Sequence, residues 1–307
     1  MTTALFTHTD CLNHLTPQGH PEQVARLSHV LAALEGRDLM RADAPQATED
    51  DLRLCHPQAH IDRVRGAVPA EGVMQLDPDT WMSPGSLDAA LRGVGGALAA
   101  VDAVLGGQAG NAFVATRPPG HHAETARTMG FCLFGTVAIA ARHALERHGL
   151  SRVAVVDFDV HHGNGTQDLL WSEARSLFVS SHQSPLWPGT GAPDETGAHG
   201  NVLNVPLDPR SDGAVFRAAY DRQVFPALEA FAPEMILISA GFDAHRDDPL
   251  AELRLTEADF EWVTARLCDL ADTHCGGRVV SCLEGGYDLE ALAASVAAHV
   301  DVLIARG

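Results

Sequence analysis

The residues able to do chemistry in this chain fall in a few short stretches. Asp157, Asp159 and His161 share the run DFDVHHGNGT (157–166), and Asp243 lies in AGFDAH (240–245). Two carboxylates and one imidazole form a ligand set suited to Zn2+ or Fe2+. Three protein ligands leave a coordination position open, which is the catalytic arrangement and not the closed structural one. Asp159 and His161 stand two apart at what reads as a strand end, so the period-2 rule points both to one side. His121 and His122 follow two prolines and a glycine in RPPGHHA (117–123), where a constrained backbone holds both rings. Beside a metal, a histidine is the natural general base, with an unperturbed pKa of about 6.5. Asp157 is available to orient one ring through its N–H. Tyr287, after Gly285 and Gly286, supplies a phenol donor of the kind a tetrahedral oxyanion needs. In combination these groups specify hydrolysis of an amide or similar acyl bond.

Such residues need a frame that brings them together. Short apolar runs read as buried parallel strands: 112–116, 152–160, 176–181, 201–207, 235–243 and 278–286. Helix-period segments lie at 86–105, 134–149, 216–231 and 256–272, the last opening on Thr256 as N-cap with Asp259 three residues on. Strands alternating with helices predict an α/β fold with a parallel sheet covered on both faces. In such sheets ligands bind at the carboxyl ends of the strands. That is where the histidine pair, the aspartates and Tyr287 fall. The long connections 182–200 and 244–255 are candidates for building the site walls. No linker or repeat divides the chain, so one catalytic domain over 1–307 is expected.

Composition narrows the class further. The chain has 307 residues, 40 acidic against 21 basic, and a formal net charge of −19. All the basic residues are arginine; there is no lysine, and hence no side-chain amine to be acylated. A field this negative repels nucleic acid and anionic lipid, so neither is expected as a partner. The N-terminus shows no signal-peptide pattern and no apolar run is long enough to span a bilayer, so a cytoplasmic location is expected. The six cysteines form no C-x-x-C pair and lie mostly in apolar stretches, as buried thiols do.

RPPGHHA, GFCLF (130–134), DFDVHHGNGT, FVSSHQ (178–183), PGTG (188–191), AGFDAH with DPL (248–250), and EGGY (284–287) together resemble, in order and spacing, the histone deacetylase family. The likeness extends to HPE (20–22) with Arg26 and covers nearly the whole chain. Asn164 after the second histidine pair places it nearest class II deacetylases, bacterial deacetylase-like amidohydrolases and acetylpolyamine amidohydrolases. The resemblance implies an arginase/deacetylase-like α/β fold with a central parallel sheet of about eight strands and helices on both faces. It implies zinc on Asp159, His161 and Asp243. It makes His122 the general base and acid, oriented by Asn164, and His121 an electrostatic partner paired to Asp157. Tyr287 would polarise the scissile carbonyl. A structural K+ would sit among Asp157, Asp159, His161, Ser180 and Ser181. Phe131, Trp187 and Gly130 would line the substrate tunnel, Asp79 would grip substrate backbone, and Leu250 and Arg26 would complete the substrate-binding set. The implied substrate is an acylated amine such as acyl-lysine; homo-oligomer formation is left open.

Two departures stand out. Phe134-Gly135-Thr136 replaces the family's usual asparagine pair, so other groups must make those hydrogen bonds. Leu250 occupies the place of the gatekeeper glutamate of polyamine-selective relatives, which weakens acetylpolyamine hydrolysis as the sole activity. Arginase-like chemistry would need two metals, with His245 as an added ligand. A non-catalytic acyl-ligand sensor on the same fold is the alternative from another class.

Overall fold

A computed structural model describes residues 2–307. In chain order the strands are β1 (Ala4–Thr7), β2 (Met40–Asp43), β3 (Met74–Asp77), β4 (Thr80–Met82), β5 (Asn111–Val114), β6 (Val153–Asp157), β7 (Ser176–Gln183), β8 (Val202–Leu207), β9 (Met235–Ala240) and β10 (Val279–Leu283). Eight of them form one sheet in the order β2-β1-β5-β10-β9-β6-β7-β8, and β3 and β4 form a separate antiparallel hairpin. Every pairing in the large sheet is parallel.

The sheet separates two cores by side-chain alternation. Along β6, Ala154 and Val156 join one apolar cluster, while Val153 and Val155 join the other. Ile236 and Ile238 of β9 fall in the first cluster, Met235 and Leu237 in the second. All eight side chains are at most 1% exposed, so each of the larger ones contributes about 1.5–3 kcal/mol by burial. Helices α1 (Val24–Ala33), α2 (Glu49–Leu52), α3 (Gln58–Gly66), α4 (Ser86–Leu105), α5 (Thr136–Glu146), α6 (Asn164–Leu170), α7 (Gly213–Ala219), α8 (Phe225–Phe231), α9 (Glu257–Cys275) and α10 (Leu289–Arg306) cover the two faces. The first cluster takes residues from α1, α7, α8, α9 and α10, the second from α3, α4 and α5. No helix among the described residues is long and apolar enough to cross a membrane.

Local signals explain several boundaries. The Thr256–Asp259 box closes as its spacing predicts, with the Thr256 amide donating to Asp259 Oδ2 at 2.9 Å, and α9 stops at Gly276 in the left-handed region. The segment 216–231, expected as one helix, is instead α7 and α8 joined by a π turn at Tyr220–Val224. Pro226 lacks an N–H and crowds the preceding turn, which disfavours an uninterrupted α-helical ladder there. The strands expected to reach 160, 243 and 286 end at Asp157, Ala240 and Leu283. Asp159, His161, Asp243 and Tyr287 therefore sit on loops just past the sheet.

Candidate active site

β5, β10, β9 and β6 are neighbours at the centre of the sheet, and the loop leaving each one carries part of the site. His121 and His122 follow β5, Tyr287 follows β10, Asp243 follows β9, and Asp157, Asp159 and His161 lie at or beyond the end of β6.

Asp159, His161 and Asp243 bring one ligand atom each to within 4.8 Å of the others, and all three are buried. His161 Nδ1 lies 3.2 Å from Asp159 Oδ1 and 3.1 Å from Asp243 Oδ2. Strand pleating does not produce this convergence, because β6 has already ended. The loop holds itself: the His161 amide donates to Asp159 Oδ1 at 2.9 Å and the Val160 amide to Asp243 Oδ1 at 2.9 Å. Burial opposes a charge on His161, yet its bonds to the two carboxylates raise the ring to about 10. Burial and the Asp159 charge raise Asp243 to about 7. Asp159 stays well below the carboxylate range despite burial, because His121 and His161 face it. The pocket thus concentrates negative charge around a space that demands a cation, and its N, O, O donor set fits Zn2+ or Fe2+.

Gly285 shapes that space. Its amide donates to Asp159 Oδ2 at 2.8 Å. A Cβ there would lie 2.2 Å from Asp243 Oδ2 and 2.5 Å from Asp159 Oδ2. Gly285→Ala should therefore weaken metal binding by about 10–100-fold, as loss of ligand support does elsewhere. Metal content after dialysis against a weak chelator checks this; wild-type retention would show that the carboxylates tolerate the crowding.

The two histidines occupy opposite electrostatic states. His121 Nδ1 lies 2.9 Å from Asp157 Oδ2, and although burial opposes the charge, Asp157, Asp159 and Glu284 raise the ring well above its ordinary value. His122 is pushed well below by burial and by the adjacent His121 and His161. Asn164 Nδ2 donates to Glu124 Oε1 at 2.8 Å, which turns Asn164 Oδ1 toward His122 Nδ1 at 2.8 Å. That oxygen accepts a proton on Nδ1, leaving Nε2 with a free lone pair. A protonated ring beside a neutral one is the arrangement in which the neutral ring serves as base.

A cavity of about 210 Å3 opens above these groups, lined by Asp79, His122, Gly130, Phe131, His161, Leu186, Trp187, Leu250 and Tyr287. Trp187 packs edge-on to His122 at a ring separation of 4.7 Å, and Phe131 edge-on to Tyr287 at 5.9 Å. Phe131 holds the left-handed conformation (φ 68°), a backbone strain of roughly 1–3 kcal/mol that places its ring in the wall. Gly130 beside it also has positive φ, and a Cβ there would lie 2.4 Å from His122 Cδ2. The Asp79 carboxylate is engaged within the wall, accepting from the Gly130 amide at 3.0 Å and the Thr80 hydroxyl at 2.9 Å. Burial raises its pKa.

Arg26, expected to contact substrate, is instead absent from this lining. It is 1% exposed and lies beneath the Tyr287 ring, 4.8 Å from its centroid. It donates to the carbonyls of Gly286 (2.5 Å) and Glu284 (2.6 Å) and to Glu22 Oε1 (3.1 Å), so it positions the tyrosine turn. Asp157, at the end of β6, lies opposite Ser180 of β7 in register, with Ser181 next along β7. The Ser181 hydroxyl pairs with Tyr220 at 2.9 Å, the contact for which the π turn presents that ring, and Ser180 pairs with His182 at 3.0 Å. His245 points away from the ligand set, its Nε2 lying 3.5 Å from Glu257 Oε1, so the second ligand group required for arginase-like chemistry is missing among the described residues.

Three supports carried no role in the sequence reasoning. Glu284 Oε2 accepts the amides of Gly120 (2.7 Å) and His121 (3.2 Å), fixing the histidine pair from β10. Asp248 Oδ1 accepts the Leu250 amide at 2.9 Å while its Oδ2 accepts the Tyr287 amide at 2.7 Å. His56 Nε2 accepts the Gly135 amide at 2.9 Å, supplying a bond where the asparagine pair is absent. Glu284 and Asp248 stood inside quoted motifs, and an acidic side chain just past a strand end (Glu284) or in a long site-building loop (Asp248) was the available signal; His56 had none.

A parallel sheet whose central strand ends carry an Asp-His-Asp ligand set, a histidine pair and a phenol is the arginase/deacetylase fold. A family profile for the histone deacetylase domain matches residues 20–303. The chain is 42% identical over 273 residues to the histone deacetylase-like amidohydrolase of Pseudomonas aeruginosa, covering 87% of this chain and 71% of that one. It is 36% identical to a probable deacetylase of Archaeoglobus fulgidus, covering 94% and 82%. The crystal structure of the HDA15 HD domain superposes with a TM-score of 0.94 at 34% identity, covering 99% of this chain and 88% of that one. The chain belongs to the histone deacetylase family, a deacetylase/amidohydrolase of that group.

Proposed function

We propose that the protein is a zinc-dependent deacylase that removes acetyl or longer acyl groups from an amine such as acyl-lysine. One observation carries this: the base, a metal ligand and the phenol all face the same cavity, His122, His161 and Tyr287 lining its wall together. Zn2+, or Fe2+, held by Asp159, His161 and Asp243 would activate water and polarise the acyl carbonyl when bound. His122 Nε2 takes the proton of the attacking water as its oxygen adds to the carbonyl carbon. Tyr287, whose hydroxyl burial keeps protonated, donates to the oxygen that gains charge. His122 then returns the proton to nitrogen as the C–N bond breaks, releasing amine and carboxylate. His121, held charged against Asp157 and Asp159, balances the carboxylates throughout. A K+ beside Asp157, Ser180 and Ser181, with the backbone of Asp159 and His161, follows from the family resemblance, and those side chains are buried together at the sheet edge that bears the site.

Leu186 and Leu250 make part of the cavity lining apolar, which favours an acyl-lysine over a polyamine. Assaying zinc-loaded protein on acetyl-lysine, longer acyl-lysine and acetylpolyamine substrates side by side tests the proposal. Hydrolysis of acyl-lysine that a chelator abolishes and zinc restores is expected. Preference for acetylpolyamine would move the activity to that class, and no turnover on any substrate would leave an acyl-ligand sensor.

A further inference from the structure

A second group of metal-type side chains lies away from the active site. Asp102, in the last turn of α4, meets His143, in the last turn of α5, and His148, just beyond it. Both imidazoles aim the same atom at the same oxygen: His143 Nε2 is 2.7 Å and His148 Nε2 2.6 Å from Asp102 Oδ1. The rings are 5.2 Å apart, edge to face. α4 leads into β5 and α5 into β6, so the cluster lies where those strands begin, at the sheet edge opposite the catalytic loops.

We propose that Asp102, His143 and His148 form a second, peripheral site for a borderline divalent cation of the Zn2+ class. Two imidazole nitrogens and one carboxylate oxygen are a standard three-ligand set for that ion, with the remaining position open to water. Bonds of about 2.0–2.2 Å place neighbouring ligand atoms of a tetrahedral site roughly 3.3 Å apart, so each imidazole nitrogen needs to move only roughly 0.6 Å further from Asp102 Oδ1, and all three atoms already lie within 4.8 Å of one another. Their exposure permits it: the side chains of Asp102 and His148 are 54% and 30% accessible, while His143 is 11% accessible and anchors the site. No protein group bonds to His143 Nδ1, so no partner on that side fixes the tautomer and the Nε2 lone pair is available to a metal. Both helices present their C-terminal, negative ends here, which favours a cation. Asp102 and His143 also line a cavity of about 180 Å3 with Asp51 and Gln46, giving space for water on the open side.

An ion here would clip α4 to α5 and stabilise the folded chain by mass action. The test is metal stoichiometry by equilibrium dialysis at buffered free Zn2+, comparing wild type with His148→Ala and Asp102→Asn. Each variant should bind one equivalent fewer than wild type, and excess Zn2+ should raise the melting temperature of wild type by more than that of the variants, which keep the set at the strand ends. The same one-equivalent difference should persist in an Asp243→Asn background, which separates this site from the ligand set at the strand ends. Equal stoichiometry in wild type and both variants, or a difference that vanishes in that background, overturns the proposal.

Discussion

Tyr287→Phe should lower kcat by about 10^2–10^3-fold while leaving metal content unchanged. The loss expected for removing one oxyanion donor is about 2.7–4 kcal/mol of transition-state stabilisation. The substitution is clean because the ring's contacts do not involve the hydroxyl: Arg26 lies against the face and Phe131 meets the ring at 82°. The Tyr287 amide keeps its bond to Asp248. The metal ligands come from other loops, so zinc binding should survive. Measuring kcat and zinc stoichiometry on the same preparation decides the matter. Undiminished turnover would remove the phenol from the mechanism, and lost zinc would assign the effect to the ligand set.

The largest effect on stability is expected from Glu22→Gln. Glu22 is fully buried between two guanidinium groups: Arg117 bonds its two oxygens at 2.7 and 2.6 Å, and Arg26 reaches Oε1 at 3.1 Å. Neutralising the carboxylate leaves two buried cations without their counter-charge, a change that costs about 3–5 kcal/mol when a buried pair is broken. The midpoint of denaturant unfolding should fall accordingly; an unchanged midpoint would mean that other acceptors suffice. The pH dependence carries the same signature. Burial opposes the Glu22 charge, but Arg117 and His14 hold its pKa well below the ordinary value. A lowered folded-state pKa means that the contribution is fully present above the unfolded value of about 4.3 and is lost as pH falls below it. Wild type should therefore lose stability steeply in that acid range, and Glu22→Gln should show a shallower slope there.

Arg26 and Glu22 also show where sequence reasoning stops. Four residues apart on either side of a helix start, they belong to the stretch that resembles the family's N-terminal motif, from which Arg26 is expected in the substrate-binding set. Their partners are distant in the chain: the carbonyls of Glu284 and Gly286, some 260 positions along, meet Arg26, and Arg117 meets Glu22. Nothing in the local pattern encodes that approach, and so a positioning residue is mistaken for a substrate contact. The central strands were legible because β5, β6, β9 and β10 are apolar on both faces. β2, with the sequence MRAD and a largely exposed edge, carries no such signal. The clustering of Asp159, His161 and Asp243 was legible by residue type, but not the reason for it. Backbone amides donating into Asp159 and Asp243 hold it, where strand alternation was expected to. Leu186 escaped because an apolar residue in a long loop looks like any other until the loop is folded over the cavity.

The bidentate role of Asp248 joins two properties that an enzyme would otherwise adjust independently. One oxygen secures the backbone of Leu250 at the cavity mouth and the other secures Tyr287. On the proposed function, substrate choice and catalytic rate would then share a support: substitutions at 248–250 that admit a different amine should also disturb Tyr287 and slow turnover on every substrate, old and new alike. Changes of specificity made through Leu186 and Trp187, which also line the cavity but are not held by that carboxylate, should avoid the penalty, which would make their loop the readier route to divergence.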